Sequence, residues 1–402
     1  MLPERRHSTG RRLAAAAGLA CTSLVLSGCY LMQLAAGQMR ISRDTRPIDK
    51  VIAEPDTPEW LRAKLEYVSR VRQFAVDQLH LKNKGSFTGY VDLKRPYVAW
   101  NVFAAPEFSV QPVTWCFPIA GCVNYRGYFS ESKAHAYAAR LKKRGDDVYV
   151  APVAAYSTLG HFRDPVLSSV MHYDDVDLAA LVIHELAHQT VYIPGDSDVN
   201  EAFAVTVEAE GVRRWLAAEG RLDELGAYRQ TRARLRQVTR LLIDTRARLA
   251  TLYASQETRA QVLSGKQAAF DRLRADYAQL RAGWTGGVNF DPMMADGLNN
   301  ARLAAISTYY QCVPGLERLL VRLHGDLPAF YDAVRKLGQE PAAKRDAALC
   351  EAASAPGAAP EQRVAAVSAF QAQVARDDGP HGMRLHAQPG EAVDGAHAVQ
   401  GQ

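Results

Sequence analysis

The segment HELAHQTVYIPGDSDVNEAFA, residues 184–204, holds the side chains of this chain best suited to chemistry. His184 and His188 stand four apart, and positions i and i+4 share one face of an α-helix, so both imidazoles can meet one ion. Glu185 projects beside them, where a carboxylate can take a proton from a water that such an ion has acidified. The surroundings are apolar: Leu178, Leu181, Val182 and Leu186 flank the motif, and Glu185 is the one Asp, Glu, Lys or Arg from Leu178 to Gln189. Burying two histidines and a carboxylate is costly unless a cation compensates them. At the histidine and glutamate content of this chain, chance places HExxH in about one such chain in a hundred, so the spacing is informative.

A catalytic zinc takes three protein ligands and keeps a further position open. In the continuation HExxHxxGxxH the third ligand is a histidine, but here the glycine position is Val191 and the histidine position is Pro194. Glu201 is the candidate instead. Pro194-Gly195-Asp196-Ser197 is a turn that can reverse the chain between a helix of about Asp177–Tyr192 and one of about Val199–Glu219. The competing reading makes Asp198-x-x-Glu201 a capping box, in which Glu201 only satisfies a backbone N–H. Glu208 lies two turns beyond Glu201 on the same face, placed either to orient a histidine N–H or to meet solvent. An oxyanion formed in peptide hydrolysis needs an electrophile besides the ion. Tyr309 and Tyr310 are the foremost candidates and Tyr192 a weaker one, against the ordinary use of tyrosine as core or surface.

The elements that must position these groups are mostly helical. Apolar positions recur at helical spacing from Thr57 to Leu81, and again from Ser130 to Arg144, where Gly145 stops the run. Tyr90-Val91, Tyr97 to Phe103 and Asp147 to Val153 read as strands, and Tyr156 to Gly160 reads as an edge strand that could pair with an extended peptide. Between residues 221 and 282, Tyr228, Leu235, Leu242 and Leu249 stand seven apart, with Leu263, Phe270 and Tyr277 repeating the interval after a break near Ala254–Thr258. That is the pattern of an antiparallel coiled-coil hairpin. Its twelve arginines and one lysine face only six acids from Arg221 to Arg281, giving a solvated basic face or, in the sharper reading, a dock for an anionic partner. A Gly- and Asn-rich loop, 283–297, leads to a helix with Asn299, Asn300, Arg302, Tyr309 and Tyr310, and further helices cover Val313–Arg322 and Leu327–Leu337. The segment 352–402 is rich in Ala, Pro, Gly and Gln and reads as disordered, which makes His381, His386 and His397 poor ligands.

The first residues are a targeting signal rather than fold. Arg5, Arg6, Arg11 and Arg12 precede an apolar run, Leu13–Leu26, that is short for a bilayer span. Leu26-Ser27-Gly28-Cys29 resembles the lipobox of bacterial lipoproteins, which implies cleavage before Cys29, acylation of that cysteine and stable membrane attachment. Tyr30 stands where an Asp would imply retention at the inner membrane, so the outer membrane, facing the periplasm, is expected. Export leaves Cys116, Cys122, Cys312 and Cys350, an even number suited to disulfides. Three pairings are open; proximity in sequence favours Cys116–Cys122 and Cys312–Cys350, with buried free thiols as the alternative. The chain's 402 residues, 48% hydrophobic and 23% charged, with a net charge of +5, fit a globular protein without a nucleic-acid signature.

HExxH followed by Asn200-Glu201-x-x-Ala204 resembles the gluzincin metallopeptidases, whose third zinc ligand is a glutamate on a second helix. Together with the lipobox, FPIAGCVNYRGYF, AAYSTLGHFRDP and NNARLAAISTYY are similar to the bacterial putative-aminopeptidase lipoproteins. The resemblance implies an α+β, predominantly helical chain with a zincin-like core, a small sheet and the inserted hairpin. The expected divisions are 1–28 signal, 29–220 N-terminal region and core, 221–282 hairpin, 283–351 the rest of the core, and 352–402 tail. It also implies one zinc ion on His184, His188 and Glu201, Glu185 as general base, and a peptide substrate. Val205 replaces the Asp that thermolysin-like enzymes keep four residues after the glutamate, and no Gly-x-Met-x-Asn motif is present to hold a substrate's amino end. The alternatives are a zinc amidase acting on cell-wall peptides, and a non-catalytic lipoprotein whose zinc is structural and whose hairpin docks.

Overall fold

The computed structural model describes residues 30–117, 121–158, 161–295, 297–306 and 312–350. The expectations for the signal segment, Cys29, Tyr309, Tyr310 and the tail fall outside the described residues. In chain order the first half runs α1 (30–44), β1 (Arg46–Pro47), α2 (Ile48–Ala53), α3 (Glu59–Asp77), β2 (Gly89–Val91), β3 (Ala99–Pro106), β4 (Trp115–Phe117), β5 (Gly121–Val123), β6 (Arg126–Tyr128), α4 (Glu131–Lys143), β7 (Asp146–Val153) and β8 (Val166–Leu167). Helices alone follow: α5 (Asp175–Thr190), α6 (Ser197–Ala218), α7 (Leu225–Tyr253), α8 (Arg259–Ala282), α9 (Asp291–Ala295), α10 (Asn300–Ile306), α11 (Val313–Arg322), α12 (Leu327–Gly338) and α13 (Ala342–Leu349). The described chain is thus predominantly helical with small sheets.

The larger sheet is antiparallel, in the order β6-β3-β7, with Trp100 opposite Tyr128 on one side and Phe103 opposite Tyr149 on the other. Side chains alternate across a strand, and β3 uses both faces. Trp100, Val102 and Ala104 pack with Tyr30 of α1 and with Ala134, Ala138 and Leu141 of α4. Phe103 and Ala105 turn the other way, onto Ala301 and Ala305 of α10. A second, short sheet joins β1-β2-β8, and β4-β5 is a hairpin whose facing Cys116 and Cys122 form a disulfide. The stretch Tyr156–Thr158 is not the expected edge strand. It is a loop whose turn is closed by Asp164, which accepts hydrogen bonds from the Thr158 backbone at 2.9 Å and hydroxyl at 2.7 Å.

The main core is all-helical around α5. Val68 and Val71 of α3, Phe203 and Val207 of α6, and Leu316 of α11 share one apolar cluster with Leu178, Val182, Ile183 and Leu186 of α5. A helix apolar on nearly every side is buried on nearly every side, and α5 is. Gly211 lets α6 come close to it: a Cβ there would stand 2.8 Å from Leu79 Cδ1 and 2.9 Å from Ile183 Cγ2.

Helices α7 and α8 pair through a separate cluster of Leu235, Val238, Leu242, Leu249, Phe270, Leu273 and Tyr277. Thr258 opens α8 with a full capping box to Gln261. The first turn of α8 departs from the expected register, since Val262 is buried while Leu263 is 40% exposed. The pair does not stand free of the rest. Phe290, Met293, Met294, Leu303 and Val110 complete its cluster, and Arg234 donates to the carbonyls of Thr285, Gly286 and Val288. Among the described residues no helix is long and apolar enough to cross a membrane.

Candidate metal centre

The two histidine-bearing turns are held in place from both ends of α5. At its start Asp174 accepts the Asp177 N–H at 2.8 Å. At its end the Thr190 hydroxyl accepts the Lys82 N–H at 2.9 Å, and Gln189 Nε2 donates to Ser86 Oγ at 3.0 Å. The reversal that follows is closed by Asn200, which accepts the Ile193 N–H at 2.8 Å and donates back to the Ile193 carbonyl at 2.7 Å. Gly195 turns the chain at φ +77°, a conformation that costs glycine nothing. Asp196 then caps α6, accepting the Val199 N–H at 3.1 Å, and also accepts Arg345 Nε of α13 at 2.6 Å. A disulfide between Cys312 and Cys350 ties the end of α13 to the start of α11.

This cap settles the competing reading of Glu201. With Asp196 as the capping residue, Glu201 lies beyond the first turn of α6, and its carboxylate points to the histidines instead of back to the chain. His184 Nε2 and His188 Nε2 are 3.2 Å apart, and Glu201 Oε2 stands 3.4 Å from the first and 3.5 Å from the second. An ion with tetrahedral bonds of about 2.0–2.1 Å needs its ligand atoms about 3.3–3.4 Å apart. The triangle has that size. Its three residues are at most 5% exposed, and Glu201 Oε2 meets no hydrogen-bond donor among the described residues. Such a buried group could hold a metal ion.

Behind the triangle, the second nitrogen of His184 is engaged. Nδ1 lies 2.9 Å from Glu208 Oε2, which fixes a proton on Nδ1 and leaves the Nε2 lone pair facing the triangle. Glu208 is 1% exposed and receives two further donors from α7, the Tyr228 hydroxyl at 2.8 Å and the Arg232 guanidinium. Burial alone would lower the pKa of His184, but the carboxylates of Glu201 and Glu208 outweigh it and push it up to about 10. Burial likewise disfavours a charged Glu201, yet the imidazoles of His188 and His184 pull its pKa down to about 2. Both shifts are those of carboxylates gathered around a positive charge, which a protonated His184 or a metal ion would supply.

Glu185 is 3% exposed and lines a small cavity, whose walls include Leu181 one turn earlier, Phe87, Val166 and the loop residues Ser157 and Asp164. Two tyrosines lie within electrostatic reach of Glu201. Burial raises the pKa of Tyr192, with the Glu201 charge adding to it. Tyr125, in the turn between β5 and β6, is raised by burial and then by neighbours that include Glu201 and Tyr192. Its ring leans on Phe103, with centroids 5.6 Å apart.

The family model for putative aminopeptidases matches residues 29–349. The chain belongs to that family. Neither the curated proteins nor the solved structures give a match. The match includes α5, α6, the α7–α8 pair and the sheet, so the aminopeptidase name, which points to peptidase activity, covers all the elements that meet at the triangle. Of the residues anticipated for this site, His184, His188, Glu201 and Glu208 are brought together, with Glu185 alongside. Tyr125, Tyr228 and Arg232 were not singled out for the site from the sequence, and Asn200 stood there only as a member of the Asn200-Glu201-x-x-Ala204 motif with no role of its own. Tyr125 lies in the turn-rich stretch FPIAGCVNYRGYF, and Tyr228 and Arg232 lie in a heptad repeat, where nothing distinguishes a site residue from a packing or solvated one.

Proposed function

We propose that this protein is a zinc-dependent peptidase, with one ion held by His184, His188 and Glu201. The observation that carries the reading is the buried triangle of two imidazole nitrogens and one carboxylate oxygen, spaced 3.2–3.5 Å apart and backed by a carboxylate on the outer nitrogen of His184. Two nitrogens and an oxygen are a zinc donor set, and the backing of His184 by Glu208 is the support such histidines commonly have. Three candidate ligands among the described residues, rather than four, fit a catalytic site in kind. When bound, zinc supplies Lewis acidity that brings a water toward neutral pKa and polarises a carbonyl.

The chain's own residues do the rest. Glu185 takes the proton of the attacking water and returns it to the leaving amine. Tyr125 or Tyr192, both close enough to Glu201 to feel its charge, offers a phenolic O–H to the oxyanion. The gluzincin comparison and the zincin-like core belong to this same reading. So does attachment at the outer membrane through acylated Cys29. It is supported by α1, which directly follows that cysteine and turns outward Met32 at 70% exposure, Met39 at 65% and Leu31 at 39%. On α7, Arg229, Arg236 and Arg240 form an exposed stripe where an anionic partner would dock.

Metal analysis and cleavage of a peptide library by wild type and Glu185→Gln test the reading. About one zinc per chain in both proteins is expected, with cleavage lowered by roughly 10²–10⁴ in the variant. Tyr125→Phe and Tyr192→Phe should keep the zinc, and one of them should lose about 10²-fold in kcat. A protein that binds no zinc, or a Glu185→Gln variant that cleaves at the wild-type rate, overturns it.

A further inference from the structure

Far from the metal triangle, three tyrosine rings gather around one arginine at the start of α1. Arg126 and Tyr128 stand two apart on β6 and so share a face of the sheet. The guanidinium carbon of Arg126 lies 4.1 Å from the ring centre of Tyr30 on α1, 4.7 Å from that of Tyr137 on α4 and 5.9 Å from that of Tyr128. Its Nε is buried without an acceptor, and Arg126 makes no ion pair among the described residues.

The rings around this arginine are fixed in place. The Tyr30 hydroxyl accepts the Gly127 N–H at 3.2 Å, and Gln33 Nε2 donates to the Gly127 carbonyl at 3.1 Å, so the first turn of α1 is fastened to the edge strand β6. Further along, Gly37 brings α1 against Phe129, since a Cβ there would stand 2.1 Å from that ring. Tyr137 is placed by Trp115, whose Nε1 donates to its hydroxyl at 2.9 Å and leaves the hydroxyl's own proton to be given elsewhere.

More positive charge lies alongside. Lys133, Tyr137 and Arg140 stand at i, i+4 and i+7, one face of α4, with Lys133 and Arg140 exposed. Burial lifts the phenol pKa of Tyr128 to about 12, with the charges of Arg126 and Arg140 acting against it, so both cations are near that ring. The neighbouring acids have other partners: Glu131 lies 3.9 Å from His135, and Asp146 pairs with Arg144 at 2.8 Å. A planar guanidinium can give two parallel N–H groups to one phosphate, and here a phenolic O–H and two further cations stand beside it.

The chain itself says which phosphate. Consecutive Cα atoms are about 3.8 Å apart, so a lipid on residue 29 enters the bilayer one residue from the ring that covers Arg126. With α1 fastened to β6 there is no linker between that lipid and the sheet. The arginine is thereby carried at the depth of the headgroups, where anionic lipids make the membrane surface negative.

We infer that Arg126, Lys133, Arg140 and the Tyr137 hydroxyl bind the phosphate of an anionic phospholipid, which seats the β6–α4 face on the membrane. The inference rests on the attachment through Cys29 proposed above, because that attachment sets where the bilayer is. It adds an orientation: a chain tethered at one cysteine alone turns about it, whereas one also seated at β6 and α4 keeps a fixed attitude to the surface.

The test is vesicle sedimentation of the chain from residue 29 with Cys29→Ser, which keeps every described residue and has no thiol to acylate there. Vesicles are phosphatidylcholine alone or phosphatidylcholine mixed with phosphatidylglycerol; the apolar face of α1 meets both alike, so the difference reads the charge. Near an anionic membrane each Lys or Arg is worth about fivefold in affinity. The mixed vesicles should therefore bind about tenfold or more tightly than phosphatidylcholine, with Arg126→Gln and Arg140→Gln each losing about fivefold. Arg126→Lys should lose nearly as much as Arg126→Gln, since an ammonium neither lies flat on the rings nor bridges two phosphate oxygens. Equal binding to the two kinds of vesicle overturns the inference without any variant having to fold. So does Arg126→Lys with undiminished affinity, the mark of diffuse attraction only. A preference lost on replacing Arg229, Arg236 and Arg240 by Gln, but kept on replacing Arg126, Lys133 and Arg140, overturns it in favour of the hairpin. Mass spectrometry of residue 29 in the full chain separates the two levels. Acylation without a phosphatidylglycerol preference sinks the inference alone, and a preference without acylation sinks the anchor and leaves the surface standing.

Discussion

Replacing Glu208 by Gln removes a charge and almost no volume, which makes it the sharpest probe of how α7 supports the candidate metal centre. The carboxylate is 1% exposed and takes three donors, His184 Nδ1 at 2.9 Å, the Tyr228 hydroxyl at 2.8 Å and the Arg232 guanidinium. A glutamine amide can accept at one atom only, so at least one donor must lose its partner or meet another N–H. If the oxygen stays with His184, Tyr228 and Arg232 face the amide nitrogen. If it turns toward α7, the ring of His184 is no longer held by an acceptor. In both cases the imidazole loses the negative charge that makes it a stronger base. Partners of this kind are worth about 10- to 100-fold in metal affinity, which is about 1.4–2.7 kcal/mol.

Competition between the protein and a chelator for buffered zinc measures this directly. Glu208→Gln should bind zinc about 10- to 100-fold more weakly, with a correspondingly smaller rise in melting temperature on adding the ion. Glu210→Gln is the control, because Glu210 pairs with Arg213 and Arg214 at 2.7 Å and makes no contact with the histidines. An affinity for Glu208→Gln within twofold of wild type refutes the idea that α7 steadies the ion through Glu208, whatever happens to stability.

Two further outcomes follow from other parts of the molecule. Asp177 starts the face of α5 that carries His184, and burial, helped by Asp174, lifts its pKa from 3.8 to about 6. A carboxyl whose folded pKa is raised is an acid the folded state prefers protonated. Wild type therefore loses stability as pH rises from about 4 to about 6, by up to about 3 kcal/mol. Asp177→Asn should be more stable than wild type at pH 7.5 and indistinguishable from it at pH 4 in urea unfolding; a constant difference across that range would refute the assignment. For α1, a chain starting at Tyr30 and lacking acyl groups should still sediment with vesicles of phosphatidylethanolamine and phosphatidylglycerol. Replacing Met32 and Met39 by Ser should weaken that binding about tenfold or more, from roughly 1 kcal/mol of partial burial at each; equal binding would remove α1 from the membrane reading.

What the sequence made legible follows from how local each signal is. The two histidines and Glu185 were readable because i, i+4 geometry is fixed by the helix itself. Glu201 was readable as the favoured third ligand but with a capping box left as a competing reading, because its role depends on where α6 begins, and Asp196 and Asp198 both suit a cap by type. What decides between them is Arg345 on α13, 149 residues away, whose guanidinium holds Asp196 at the turn. The hairpin was visible as a heptad repeat, but its contribution to the centre was not. In a repeat with twelve arginines, the one that neutralises Glu208 has no mark of its own. The loop Tyr156–Thr158 was misread for a related reason: its residues suit a strand, and the carboxylate that bends it into a turn comes six residues later. In each case the missing information is which polar group is buried against which, and that is set by packing between distant segments rather than by propensity. The candidate metal centre shows it most clearly, since its proposed ligands come from one contiguous stretch of 18 residues, His184 to Glu201, while the groups packed behind them are Glu208 further along α6 and side chains of α7 and α13. A sequence motif can therefore name a metal site, but the affinity and chemistry of that site depend on residues the motif does not contain.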